Sequence, residues 1–137
     1  MRRIHGGTVL QLLWICIGGA LGTGCRYLVG LWAAQALGTG FPYGTLIVNV
    51  VGSFLISIVM YLSIDAGALS LPVRMFLTTG FMGGFTTYSS FNYETFKLIQ
   101  SGAYTLAAGN VLATLLACAT AGLLGLFVGA RIAASLG

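Results

Sequence analysis

The sequence predicts an all-α integral membrane protein with four transmembrane helices, the third of them broken near its middle. Three observations lead there. Hydrophobic residues make up 58% of the 137-residue chain and charged residues only 6%, with a mean hydropathy of +0.98. A water-facing globule carries about 25% charged residues. The apolar residues gather in four runs, each long enough for the roughly 20-residue crossing of a bilayer. The third run contains GFMGGFTTYSSFNYETF at 80–96, where a glycine pair and a cluster of hydroxyls interrupt the apolar pattern. The length suits a single domain.

The first span covers about 9–37, longer than a crossing requires, with Arg26 inside it. A guanidinium at membrane depth is expensive and marks a functional candidate. Alternatively, its long side chain reaches the interface near the end of an over-long helix. Met1 to Gly24 has the outline of a signal peptide, but the apolar run continues through Tyr27-Leu28-Val29-Gly30-Leu31-Trp32, past any signal core.

The second span, about 43–64, carries no charge and places Asn49 roughly two turns from its start. An unsatisfied amide in hydrocarbon costs several kcal/mol, so Asn49 either bonds another helix or lines a polar pathway. The fourth span, about 104–130, is also uncharged before its end. There Asn110, Thr114 and Cys118 recur every four residues and share one helix stripe, although Thr114 can also bond back to its own helix. Turn residues mark the linkers: Gly38-Thr39-Gly40-Phe41-Pro42, Asp65-Ala66-Gly67 and Ser101-Gly102.

The third span, about 71–100, is the most specific. Each glycine of Gly83-Gly84 lowers helix propensity by about 1 kcal/mol, and a break there would release carbonyls that need partners at membrane depth. A bound cation is one such partner. Beyond the break, Tyr88 and Phe91 share a face at i, i+3, while Thr86, Thr87, Ser89, Ser90 and Asn92 add hydroxyls and an amide. Aromatic ring edges are positive, so the set suits a small anion better than a cation. The only acids are Asp65 in a linker and Glu94 toward the helix end.

The net charge of +4 includes one adjacent basic pair, Arg2-Arg3, too little for nucleic-acid binding. Cys16, Cys25 and Cys118 fall in apolar runs without metal or C-x-x-C spacing and read as small buried hydrophobes. His5, in the polar N-terminal tail, reads as exposed. No nucleophile–base pair or metal-ligand cluster points to an enzyme. Four spans put Arg2, Arg3, Arg74 and Arg131 on one side and Lys97, with Arg26 at most, on the other. So weak a bias permits insertion in both orientations and hence an antiparallel dimer. Gly18/Gly22, Gly80/Gly84 and Gly125/Gly129 are G-x-x-x-G pairs suited either to packing within the chain or to a dimer seam.

GGALGTGCRYLVG, FPYGTLIVNVVGSF and GFMGGFTTYSSFNYET, in that order, resemble the Fluc (CrcB) fluoride channel family. The resemblance covers essentially the whole chain, and its third-span motif is highly specific. It implies an antiparallel, dual-topology homodimer in the bacterial inner membrane, passing fluoride passively through two narrow pores at the dimer interface. It also implies a central structural sodium ion held by main-chain carbonyls, here of Gly83 and Thr86. Asn49 matches the family's pore asparagine. Tyr88 and Phe91 match its two stacked phenylalanines, the first being a tyrosine here. Asn110, Thr114 and Cys118 match a polar track of tyrosine, serine and serine. Thr114 keeps the hydroxyl, while Asn110 and Cys118 depart in chemistry. Roles are further implied for Arg26 and Glu94, and Thr87 and Ser90 are candidates beside them.

Two other readings compete. A small proton-coupled multidrug exporter needs a carboxylate in the first span, and no acid precedes Asp65. A non-transporting membrane scaffold subunit explains the glycine pairs but not Asn49 and the polar break together.

Overall fold

A computed structural model describes residues 6–136; the expectations for Arg2, Arg3 and His5 lie outside the described residues. The chain forms α1 (Gly6–Leu37), α2 (Tyr43–Met60), α3 (Leu71–Met75), α4 (Gly83–Phe85), α5 (Tyr88–Gln100) and α6 (Tyr104–Leu136). Wide π-helical turns extend α2 through Tyr61–Asp65 and join α3 to α4 through Phe76–Met82. No strand occurs among the described residues. Glycines in the left-handed region, Gly38, Gly67 and Gly102, turn the chain in the three linkers.

Among the described residues, three helices are long and apolar enough to cross a membrane: Gly7–Leu37, Tyr43–Asp65 and Tyr104–Ser135, of 31, 23 and 32 residues. At 1.5 Å per residue they measure about 34–48 Å, against a hydrocarbon core of about 30 Å. Helix α6 runs past the expected boundary at 130 and through Arg131. The Arg131 guanidinium lies 5.0 Å from the centre of the Phe127 ring on the same helix, where the ring face attracts the cation.

Helix α2 packs along α6, α1 packs along the π-helical segment and α4, and α5 leans on α6. The glycine pairs make these approaches possible. An added Cβ on Gly18 would meet the Phe76 carbonyl oxygen at 2.5 Å, and one on Gly80 would meet the Ile15 carbonyl oxygen at 2.8 Å. On α6, a Cβ on Gly125 or Gly129 would come within 2.9 Å of Ser57 or Tyr61 respectively. All three G-x-x-x-G pairs are therefore spent on packing within the chain. The cysteines depart from expectation: Cys16 and Cys25 are exposed and Cys118 half-buried, because the outer faces of α1 and α6 carry no second layer of protein.

The segment 71–100 also corrects the sequence reading. Gly83 has helical angles, φ −61° and ψ −37°, and the helix runs through Phe85. The chain turns extended at Thr86 (φ −84°, ψ 160°) and Thr87 (φ −155°, ψ 115°). Two β-branched residues, which favour extended backbone, mark the interruption. Gly84 serves contact instead: an added Cβ would stand 3.0 Å from the Thr23 backbone nitrogen and closer still to the Gly19 carbonyl.

Candidate functional site

The interruption sits against Asn49, which is 8% exposed. The Asn49 side chain pairs with the Thr87 peptide as another backbone would. Nδ2 donates to the Thr87 carbonyl at 3.0 Å, and the Thr87 N–H donates to Oδ1 at 2.8 Å. Of the two roles the sequence left open, the interhelical bond is present, and one Nδ2 hydrogen is left over. Thr87 in turn caps α5: its Oγ1 accepts from the Ser90 N–H at 3.1 Å and lies 3.1 Å from the Ser90 hydroxyl and 3.3 Å from that of Ser89.

Beside this pair lies a cavity of about 340 Å³ that brings together Asn49, Thr86, Thr87, Tyr88, Phe91, Thr114 and Cys118. The Tyr88 and Phe91 rings are 5.6 Å apart and tilted by 49°. Phe91 is buried, whereas Tyr88 is 76% exposed at the rim. Thr114 is 9% exposed, and its Oγ1 is buried with no hydrogen-bond partner. It makes no bond back to its own helix; Thr114 lines the cavity, with its unpaired Oγ1 covered by neighbouring atoms.

Asn110 lies elsewhere. It is 1% exposed and donates from Nδ2 to Thr95 Oγ1 at 2.9 Å, while the Thr95 hydroxyl donates to the Phe91 carbonyl at 2.7 Å. This relay ties α6 to α5 and anchors the backbone of Phe91. The stripe of three residues on α6 thus divides, with Thr114 and Cys118 at the cavity and Asn110 in the helix joint.

Arg26 lines a second cavity of about 280 Å³, with Thr23, Thr45, Thr87 and Ser90. Glu94 and Lys97 line a third, about 470 Å³, with Thr45 and the Gly38–Pro42 linker. Glu94 Oε2 is buried and unpartnered. Gly30, Gly44 and Thr45 are shared by the third and second cavities, and Thr87 by the second and first. The three hollows therefore stand in series along α2, with Thr87 between the last two.

Thr45 and Thr95 were missed from sequence. A readable signal existed for the first: Thr45, Asn49, Ser53 and Ser57 recur every four residues on α2, a stripe on one helix face. Ser53 and Ser57 spend their hydroxyls on the carbonyls of Asn49 and Ser53. Thr95 looked like an ordinary hydroxyl, and only folding places it opposite Asn110. No group of three His, Cys, Asp or Glu side chains capable of holding a metal occurs among the described residues. A cation here would meet neutral oxygens of backbone, hydroxyl and amide groups.

Long apolar helices, with three hollows between them into which a few hydroxyl, amide and charged residues are set, define a multi-pass helical membrane protein. The family described as "CrcB-like protein, Camphor Resistance (CrcB)" matches residues 13–126. A protein of Anaeromyxobacter dehalogenans named fluoride-specific ion channel FluC is 53% identical over 111 residues, covering 81% of this chain and 88% of its own. Proteins of the same name from Citrifermentans bemidjiense and a Roseiflexus species are 45% and 43% identical, over 86% and 90% of this chain and 95% and 97% of theirs. The chain belongs to the CrcB family.

Proposed function

We propose that this protein is a passive, fluoride-selective channel that lets fluoride out across the bacterial inner membrane. The observation that carries the reading is the 340 Å³ cavity, where Thr114 offers a buried hydroxyl with no partner beside the Tyr88–Phe91 ring pair, in a chain whose relatives are named for fluoride conduction. Fluoride is small and holds its water strongly, so several neutral donors must replace that water. Thr114, the spare hydrogen of Asn49 and the positive ring edges supply them. Arg26, in the neighbouring cavity, raises the local anion concentration, and Glu94, Thr87 and Ser90 line the route. Glu94 lines the third cavity and Thr114 the first, with the second between them, which suits passive conduction better than proton exchange.

The working unit is an antiparallel, dual-topology homodimer of four-span subunits, whose third span is 71–100 with the break at Thr86-Thr87. Exposure of Tyr88 at the cavity rim supports a second copy as the missing wall. A structural sodium ion held by the Gly83 and Thr86 carbonyls fits the chemistry of that segment: neutral, hard backbone oxygens at an interrupted membrane helix, the donor type such helices offer cations. Such an ion would neutralise the carbonyl dipoles between subunits.

The test is a planar-bilayer recording with fluoride on one side and chloride on the other. Current reversing near the fluoride equilibrium potential is expected. Reversal near the chloride potential, or no current from dimeric protein, would contradict the proposal.

A further inference from the structure

In an α-helix each N–H bonds the carbonyl four residues earlier. Had the helix run through 86–87, the Thr87 N–H would have closed on the Gly83 carbonyl and the Ser90 N–H on the Thr86 carbonyl. Neither does. The Thr87 N–H goes to Asn49 Oδ1 at 2.8 Å, and the Ser90 N–H goes to Thr87 Oγ1 at 3.1 Å. Two side-chain oxygens stand in for two backbone oxygens, those of Gly83 and Thr86; the Gly84 and Phe85 carbonyls lose the N–H groups of Tyr88 and Ser89 at the same interruption, but there no side-chain acceptor takes over.

We propose that Asn49 and Thr87 are positioning residues whose side chains take these two N–H groups and so hold the Gly83 and Thr86 carbonyls open for a hard cation. The inference rests on the sodium site of the channel reading and deepens it by naming what creates the site. The second Asn49 bond, from Nδ2 to the Thr87 carbonyl at 3.0 Å, fixes the amide so that Oδ1 must face the N–H. Thr86 is kept in place separately, since its own N–H and Oγ1 both reach the Met82 carbonyl at 2.9 Å. Only its carbonyl is left without the N–H that helical winding would bring. Glycine at 83 does not open the helix; the acceptors supplied from α2 and from the α5 cap do.

The experiment compares wild type with Asn49→Ala, Thr87→Ala and Thr87→Ser, purified in detergent without fluoride. The thermal unfolding midpoint is followed as N-methylglucamine chloride is exchanged for sodium chloride at constant ionic strength. Fluoride flux is measured separately on the same samples. In wild type and Thr87→Ser, sodium is expected to raise the midpoint. In Thr87→Ala and Asn49→Ala, the sodium needed for half of that rise should increase at least about tenfold, as when a metal ligand loses its orienting partner. Thr87→Ser keeps the capping oxygen, so rescue by it separates positioning from general damage. An unshifted sodium response in Thr87→Ala, or loss of the response in Thr87→Ser as well, overturns the inference. A wild type that conducts fluoride without any sodium response also overturns it while leaving the channel reading intact. A wild type whose sodium response depends on the Thr87 hydroxyl but which conducts nothing supports the inference and contradicts the channel reading.

Discussion

Alanine at Gly22 is predicted to be far more damaging than alanine at Gly24, two residues along the same helix. A Cβ on Gly22 would stand 2.9 Å from both the Phe81 carbonyl carbon and the Phe85 nitrogen, and nearer still to the Phe81 carbonyl oxygen. Unstrained carbon contacts lie at about 3.5–4.0 Å, so α1 and the third-span backbone must part by roughly 1 Å. Both neighbours are backbone, which cannot swing aside as a side chain can. Overpacking of this kind costs about 1–3 kcal/mol. Around Gly24 nothing lies within 4 Å, and alanine there gains up to about 1 kcal/mol of helix propensity. Gly22 lies in the same helix and gains the same propensity, so the two variants should differ by the overpacking alone, about 1–3 kcal/mol, which for a chain of this length separates their midpoints by roughly 3–15 °C. The assay is thermal unfolding in detergent followed by the fluorescence of Trp14 and Trp32, both on α1. Trp14 packs edge-on against Phe76 across this same seam, so it reports the separation directly. Coincident midpoints would refute the claim that these backbones touch.

Thr114→Val removes the unpartnered hydroxyl at nearly constant volume. Its midpoint should stay level or rise, by up to about 1 kcal/mol of relieved desolvation, while fluoride efflux falls at least tenfold; efflux equal to wild type would take Thr114 out of the pore. Asn110→Ala should do the reverse. It breaks the bond to Thr95 and leaves a void at a fully buried site, costing about 2–4 kcal/mol in the thermal melt, with residual flux in whatever protein remains folded. Asn49→Leu should abolish flux, and because it strands the Thr87 N–H and carbonyl it should also destabilise by about 2–5 kcal/mol. A Leu variant as stable as wild type would mean that the Asn49–Thr87 pair is not formed.

Composition alone made the helical membrane class readable, and three of the four runs appear as long apolar helices. The linkers were equally legible, because Gly38, Gly67 and Gly102 sit where the chain must turn left-handed. Legibility ended where one residue type serves two physical ends. Gly83-Gly84 looked like a helix breaker, yet the break falls two residues later, since a glycine can lower helix propensity or admit a neighbour and propensity scales record only the first. Asn110 and Thr114 share a helix stripe, yet one meets Thr95 and the other meets nothing. Periodicity places residues on a face without saying which neighbour that face finds. For the same reason Thr95 escaped notice, as its partner lies on the next helix. Asn49 was readable as a polar group that must be satisfied, but only coordinates show that a backbone peptide satisfies it.

The most direct test is efflux from liposomes containing the purified protein, read in parallel with fluoride and chloride electrodes. Fast fluoride loss with chloride retained is the predicted result. Retention of both anions by vesicles shown to hold folded dimer, or loss of both at similar rates, would contradict a fluoride-selective channel.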